Sequence, residues 1–270
     1  MKELNFVGCL PASKSIFNRM LIVQSFFPEL VLTGDSHCED VKLMQKAIAH
    51  IGWEEPYDCG HAGTVLRFLS FRLSREEGEH LLTGSPRLFQ RPQDELVVSL
   101  RQLGCQVELT DKHLKIKSSG WHLMGDSLHI SCKRSSQFVS GALLSAWKFA
   151  KPLHLSPGRK IISPDYWQMT LALMKQIGMK IEKWDTDYIV QPSHTLTTTT
   201  FKVEQDLSSA FALAAIAAVR GKAMFQDFPT SSLQPDAIFP RVLSDMGVNV
   251  EFNKQTLKVE ADHLRAIDFD

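Results

Sequence analysis

Arg87 and Arg91 stand four residues apart inside the segment Thr83-Gly84-Ser85-Pro86-Arg87-Leu88-Phe89-Gln90-Arg91-Pro92. Core packing does not explain two guanidiniums on a proline-bounded loop. Their forked donors fit carboxylates and phosphates bidentately, although a solvated basic loop is the plainer alternative. A second cluster, Ser13-Lys14-Ser15-Ile16-Phe17-Asn18-Arg19, puts Lys14 at the start of an apolar helix and Arg19 one turn inside it. Ser13 or Ser15 is expected to cap that helix. The cations would add formal charge to the positive end of the helix dipole. In Ala62-Gly63-Thr64-Val65-Leu66-Arg67 the small residues allow a ligand close to the backbone. Arg67 reads better as a structural tie from its helix to a neighbouring carbonyl. Lys133-Arg134-Ser135-Ser136-Gln137 gathers hydroxyls and an amide at another helix start, and Ser163-Pro164-Asp165-Tyr166 begins one more. Clusters of this kind suit small, highly charged anions, because helix N-termini offer unpaired N–H groups.

The elements that position these clusters repeat. Four apolar helices open near residues 13, 63, 136 and 207, each followed by a short strand and an amphipathic helix. Each amphipathic helix stops at a glycine: Gly52, Gly104, Gly178 and Gly247. After the last three, strand-like text follows at once. Spacings of 52, 74 and 69 residues between these stops make a loose repeat, not a strict solenoid (104 − 52, 178 − 104, 247 − 178). Pro92 is expected in the first turn of the second unit's amphipathic helix. The alternation predicts an α/β (α+β) layer structure of repeated β-α-β-α-β units whose helices start at an anion-binding cleft. The expected domains are residues 12–196, with three units, and residues 1–11 plus 197–270, with one. Residues 191–197 are the expected hinge.

Composition narrows the class. Thirty basic residues balance thirty acidic ones among 270, which argues against bulk nucleic-acid binding. Five scattered cysteines, Cys9, Cys38, Cys59, Cys105 and Cys132, lack metal-ligand spacing. The ten histidines do not cluster, so no metal is expected. The longest apolar run, residues 210–219, is too short to span a membrane. A reduced cytoplasm is the expected location.

Taken in order, the clusters resemble the EPSP synthase family (3-phosphoshikimate 1-carboxyvinyltransferases). The family's P-G-S-K-S-x-x-N-R is similar to residues 11–19, with Ala12 for glycine. Its G-N-A-G-T-x-x-R-P is similar to residues 60–68, with His61 and Phe68 departing. Its T-G-x-P-R-x-x-x-R-P matches residues 83–92, its S-S-Q-F residues 135–138 and its D-x-S-S-A residues 206–210.

The resemblance implies a reaction. The 5-hydroxyl of shikimate 3-phosphate adds to C2 of phosphoenolpyruvate while C3 is protonated, and the tetrahedral adduct expels phosphate. It also implies roles. Lys14, the candidate catalytic residue, would lie between the two substrates. Ser15, Arg19, Ser135, Ser136, Gln137 and Ser163 would hold shikimate 3-phosphate with it. Gly63, Arg91 and Gln137 would meet phosphoenolpyruvate. No cofactor is implied.

The family's catalytic Asp and Glu, a second Lys and further Arg residues lie beyond residue 270, and four of six units are present. The chain alone is therefore expected to be a weak catalyst, unless Asp206 or Asp236 takes over proton transfer. The apolar helix after Asp206 is expected to need cover, by self-association, a complementary chain or closure onto the other units. Two alternatives remain open: a protein that only binds shikimate 3-phosphate, and a UDP-N-acetylglucosamine enolpyruvyl transferase-like enzyme. The latter family carries a loop cysteine that residues 85–92 lack. RNA 3′-phosphate cyclases would need a nucleotide-binding histidine setting that does not stand out.

Overall fold

The structure is a computed structural model that describes residues 3–53, 56–192 and 195–268. Ser193 and His194 of the expected hinge lie outside them. The chain divides into two compact units. The smaller comprises residues 1–15, 34–36 and 202–270; the larger comprises residues 16–33 and 37–201. The division thus falls four to five residues beyond the expected breaks at 11/12 and 196/197.

Nine α-helices are described: α1 Lys14–Gln24, α2 Glu39–Ala49, α3 Gly63–Leu73, α4 Pro86–Gln90, α5 Asp94–Gln102, α6 Gln137–Leu144, α7 Pro164–Gln176, α8 Leu207–Val219 and α9 Phe239–Asp245. In the larger unit α1, α3 and α6 form the interior. Eight successive residues of α1, from Ile16 to Val23, are buried, and so is every residue of α6 after Gln137. Apolar residues dominate α6, whereas α1 and α3 also bury the polar Asn18, Arg19, Arg67, Ser70 and Arg72. Each fully buried Leu, Val or Phe contributes about 1.5–3 kcal/mol. By contrast α2 and α5 bury one stripe: Val41, Met44 and Ala47 in the first; Leu96, Val97, Ser99 and Leu100 in the second.

Three four-stranded sheets repeat one topology. In the first, Tyr57–Asp58 runs parallel to Glu77–Thr83, followed by antiparallel His113–Ser119 and Gln106–Leu109. In the second the same order is Leu128–His129, Leu153–Ser156, Asp187–Val190 and Ile181–Trp184. In the smaller unit it is Leu4–Gly8, Gly221–Phe225, Thr256–Glu260 and Asn249–Asn253. The parallel pair needs a helical crossover, supplied by α3 in the first sheet and α6 in the second; the hairpin closes each sheet. The glycine stops all adopt positive φ, from 86 to 108°. At Gly178 a Cβ would also sit 2.2 Å from the Thr195 carbonyl oxygen.

Two elements differ from the sequence reading. Pro92 lies in the extended turn between α4 and α5, and Pro86 takes the first-turn position, in α4. Ser13 does not cap α1. The Lys14 N–H donates to Asp206 Oδ2 at 3.3 Å, while the Ser13 hydroxyl oxygen is buried without a partner. Asp206 Oδ1 also accepts from the Ser209 N–H at 2.8 Å, so one carboxylate caps both α1 and α8. A negative charge suits two positive helix ends better than a hydroxyl does. In α8, Ala210, Ala214, Ala217 and Ala218 face the smaller unit's core. Its other side leaves Ile216 and Val219 55% and 72% exposed.

Two predictions follow from this packing. At Gly141 a Cβ would lie 2.6 Å from Phe71 and 3.2 Å from the Arg67 carbonyl, so α6 and α3 touch through that glycine. Gly141→Ala is expected to cost about 1–3 kcal/mol by overpacking, read from urea unfolding. Burial lifts the Cys132 thiol up to about 12 and also raises Cys59 and Cys105. Iodoacetamide at pH 8 should therefore label Cys9 and Cys38 in the folded chain and spare the other three. Because unfolded thiols ionise near about 8.5, stability contributed by these thiols is complete below that pH. It should fall as pH rises from there toward 12.

Candidate functional site

The motifs of the larger unit converge on Arg67. Its side chain points from α3 into the interior and is 5% exposed. Nη1 donates to Gln137 Oε1 at 2.7 Å and to Ser135 Oγ at 3.4 Å. Nε donates to Gln93 Oε1 at 3.1 Å, and Nη2 to the Pro92 carbonyl at 3.3 Å. The guanidinium carbon lies 4.7 Å from the Phe138 ring centre. The structural tie to a carbonyl is present, but it is one contact among four. Arg67 joins the start of α6 to the loop that carries Arg91. Burial first, then the like charge of Arg91, lower its pKa to about 10, with Glu95 pulling the other way.

Arg91 lies against the start of α3. A Cβ at Gly63 would stand 2.5 Å from Arg91 Nη1, so a larger residue would push the guanidinium aside. Arg91 is exposed and has no hydrogen-bond or ion-pair partner among the described residues. Its loop is pinned at the other end, where the Ser85 N–H donates to the Gly60 carbonyl at 2.8 Å and the Cys59 N–H to Thr83 at 2.8 Å. No side chain caps α3, whose N-cap position is Ala62. An uncapped helix end beside a free guanidinium and a buried one is a place where an anion is favoured twice, by dipole and by charge.

Gln137 ties the same region together. Its Nε2 donates to Thr64 Oγ1 at 3.0 Å while its oxygen serves Arg67. The second Nε2 hydrogen has no acceptor among the described residues. The Gln137 N–H donates to Ser135 Oγ at 3.2 Å. Ser136 is buried and its hydroxyl donates to the Ser163 carbonyl at 3.2 Å. Ser163 holds φ 54° and ψ 60°, the left-handed region, directly before Pro164. Lys148, Asp185, Asp227 and Lys254 share this positive φ, so the conformation by itself marks a turn. The exposed Ser163 hydroxyl caps nothing in α7.

Arg19 takes a buried place. It is 2% exposed, its Nε donates to Thr170 Oγ1 at 2.8 Å, and its Nη2 donates to the Tyr166 carbonyl at 3.3 Å. Thr170 also pairs with Ser140 of α6 at 3.0 Å. Burial lowers the Arg19 pKa to about 10. Arg19 therefore braces α7, and so the loop of Ser163, against α1 and α6. Lys14 and Ser15 are half-buried at the start of α1, in the smaller unit. Asp206, considered above as a proton carrier, has both oxygens committed to helix caps. Asp236 accepts from the Ser208 hydroxyl at 2.5 Å.

Gln93 was not singled out by sequence. It is 1% exposed and receives Arg67 while donating to the Leu88 carbonyl at 3.3 Å. A glutamine after Arg91-Pro92 was the available signal, since a buried amide on a basic loop needs partners. Among the described residues no group of three His, Cys, Asp or Glu could hold a metal ion, and no helix is long and apolar enough to cross a membrane.

Arg67→Met is expected to unpair Gln93 and Gln137 together. Hydrogen bonds to charged groups contribute about 1.5–3 kcal/mol each, so unfolding free energy should drop by at least that much. Amide shifts of residues 91–93 and 135–137 should move together, because one guanidinium holds both segments. Shifts confined to α3 would contradict this account.

Comparison with known proteins adds a separate line. The family model for EPSP synthase (3-phosphoshikimate 1-carboxyvinyltransferase) matches residues 53–270. A 3-phosphoshikimate 1-carboxyvinyltransferase of Bacteroides fragilis is 33% identical over 260 residues, covering 93% of this chain and 62% of that protein. One from Histophilus somni is 28% identical over 295 residues, covering 97% and 68%. The 2.37 Å structure of EPSP synthase from Acinetobacter baumannii matches the fold with a TM-score of 0.74 at 17% identity, over 100% of this chain and 68% of that one. The chain thus spans 62–68% of the length of these relatives.

Proposed function

We propose that this chain, which belongs to the EPSP synthase family, serves transfer of the enolpyruvyl group from phosphoenolpyruvate to the 5-hydroxyl of shikimate 3-phosphate, with release of phosphate. The observation that carries this reading is the convergence of Arg91, Arg67, Gln137 and Ser135 at the starts of α3 and α6. Both substrates are small and highly charged, and fixed donors stabilise such anions without reorganising. Arg91 and the Gly63 backbone take the phosphoenolpyruvate anion, and the second Gln137 hydrogen assists. The hydroxyls of Ser135 and Ser163 take the shikimate 3-phosphate, and Ser136 joins them by turning its hydroxyl from the Ser163 carbonyl to the phosphate. Arg67 and Arg19 contribute positive field and hold the loops in register. Lys14 and Ser15 belong to the smaller unit, and their part in substrate binding rests on the family motif alone.

The addition itself needs a proton delivered to C3 and one removed from the 5-hydroxyl. Lys14 is the cation among the described site residues suited to exchanging a proton, since guanidiniums do not. Association with a second copy or a complementary chain is part of the proposal. It would cover the exposed side of α8 at Ile216 and Val219.

Calorimetry tests the binding assignment. Ser135→Ala with Ser136→Ala is expected to weaken shikimate 3-phosphate and spare phosphoenolpyruvate. Arg91→Ala is expected to do the reverse. Truncating one partner of a hydrogen-bonded charge pair costs about 2–5 kcal/mol when the pair is desolvated, so each selective loss should exceed tenfold, or about 1.4 kcal/mol. Affinities for both substrates that do not change in either variant would remove the assignment.

A further inference from the structure

The larger unit holds a pocket of about 390 Å³ that shares no residue with the site above. One part of its lining is apolar and buried, with Ile130, Cys132 and Pro157. The other part carries Lys133, Arg159 and Lys160. All three cations are exposed, and none has a hydrogen-bond or ion-pair partner for its side chain among the described residues. No Asp or Glu lines the pocket. The adjacent Arg134 behaves differently, since it reaches Asp94 at 3.2 Å and Glu95 at 3.6 Å.

The cations have no part in holding the walls. Gln102 fixes residue 129 through both backbone groups: its Nε2 donates to the His129 carbonyl at 2.8 Å and its oxygen accepts the His129 N–H at 3.0 Å. The Ile162 N–H donates to the Cys132 carbonyl at 3.0 Å and joins the two loops. Backbone and amide bonds therefore shape the cavity, while three like charges face it uncompensated. Like charges left together favour an opposite charge between them. The volume exceeds that of a bare phosphate and falls in the range of small-molecule sites, which pair an apolar lining with a few placed polar groups.

We propose that this pocket binds a small organic anion, a phosphate ester or a carboxylate borne on an apolar ring. The ring lies against Ile130, Cys132 and Pro157, and the anionic group lies among Lys133, Arg159 and Lys160. The proposal is independent of the enolpyruvyl-transfer reading, because no candidate site residue contributes to it.

Amide shifts in the full chain test it, with phenyl phosphate, benzoate, benzyl alcohol and inorganic phosphate as probes. Phenyl phosphate or benzoate is expected to shift residues 129–133 and 156–160, and the tighter of the two identifies the head group. Its affinity should exceed those of benzyl alcohol and inorganic phosphate by about tenfold or more, since each supplies half of the recognition. Lys133→Gln with Arg159→Gln and Lys160→Gln changes only exposed side chains without a partner among the described residues, so the fold should persist. This variant should lose those shifts, and Arg91→Ala should keep them. The proposal is overturned by equal binding of benzyl alcohol, by shifts confined to residues 63, 91 and 135–137, or by shifts that survive the triple variant. Absence of binding by either anion at about 10 mM, above the weak-affinity range of about 1 mM, overturns it as well.

Discussion

The Arg67 guanidinium is buried with only neutral oxygens in hydrogen-bond reach: Gln137, Ser135, Gln93 and the Pro92 carbonyl. Taking a charge out of water costs several kcal/mol, and here hydrogen bonds offset the cost without cancelling the charge. The consequence is geometric and electrical at once. Three segments that are far apart in sequence must meet to solvate one group. The charge they solvate still acts on whatever lies nearby. Arg91 shares that field, which Glu95 offsets in part.

The repeated sheet explains why helix starts collect where they do. In each sheet of the larger unit a parallel strand pair is bridged by an inner helix, α3 or α6. A parallel pair returns the chain to the same end each time, so the two inner helices begin in equivalent places. Gly141 lets them approach until one backbone nearly touches the other. Arg19 and Thr170 then lock α1 and α7 to the same block. Stability and site geometry thus rest on the same contacts, and a substitution inside the block disturbs both.

The polar groups left over after folding mark the difference between brace and binder. Arg19 and Arg67 are both buried and spend donors on protein acceptors. Arg91, Lys133, Arg159 and Lys160 are exposed and spend none within the described residues. The same residue types appear in both sets, so type alone does not separate them. Exposure and partner count do.

Local pattern was enough for the helices, the glycine stops and the repeated unit, because apolar spacing and positive-φ glycines depend on near neighbours. Ordered motifs were enough for the family, since five short patterns in sequence carry more information than any one of them. The sheet order was not legible, as it depends on pairing between strands 217 residues apart, such as Leu4 with Gly221. Nor was the Asp206 cap of α1, which joins residues 192 apart and stands where Ser13 was one of two candidates. Gln93 read as an ordinary loop residue until burial forced a partner on it. Arg67 read as a tie to one carbonyl, and only the tertiary fold brought Ser135 and Gln137 to the same guanidinium. Sequence by itself determined which groups could meet anions. The fold decided which of them are consumed in holding it together, because that depends on contacts between segments that no local pattern encodes.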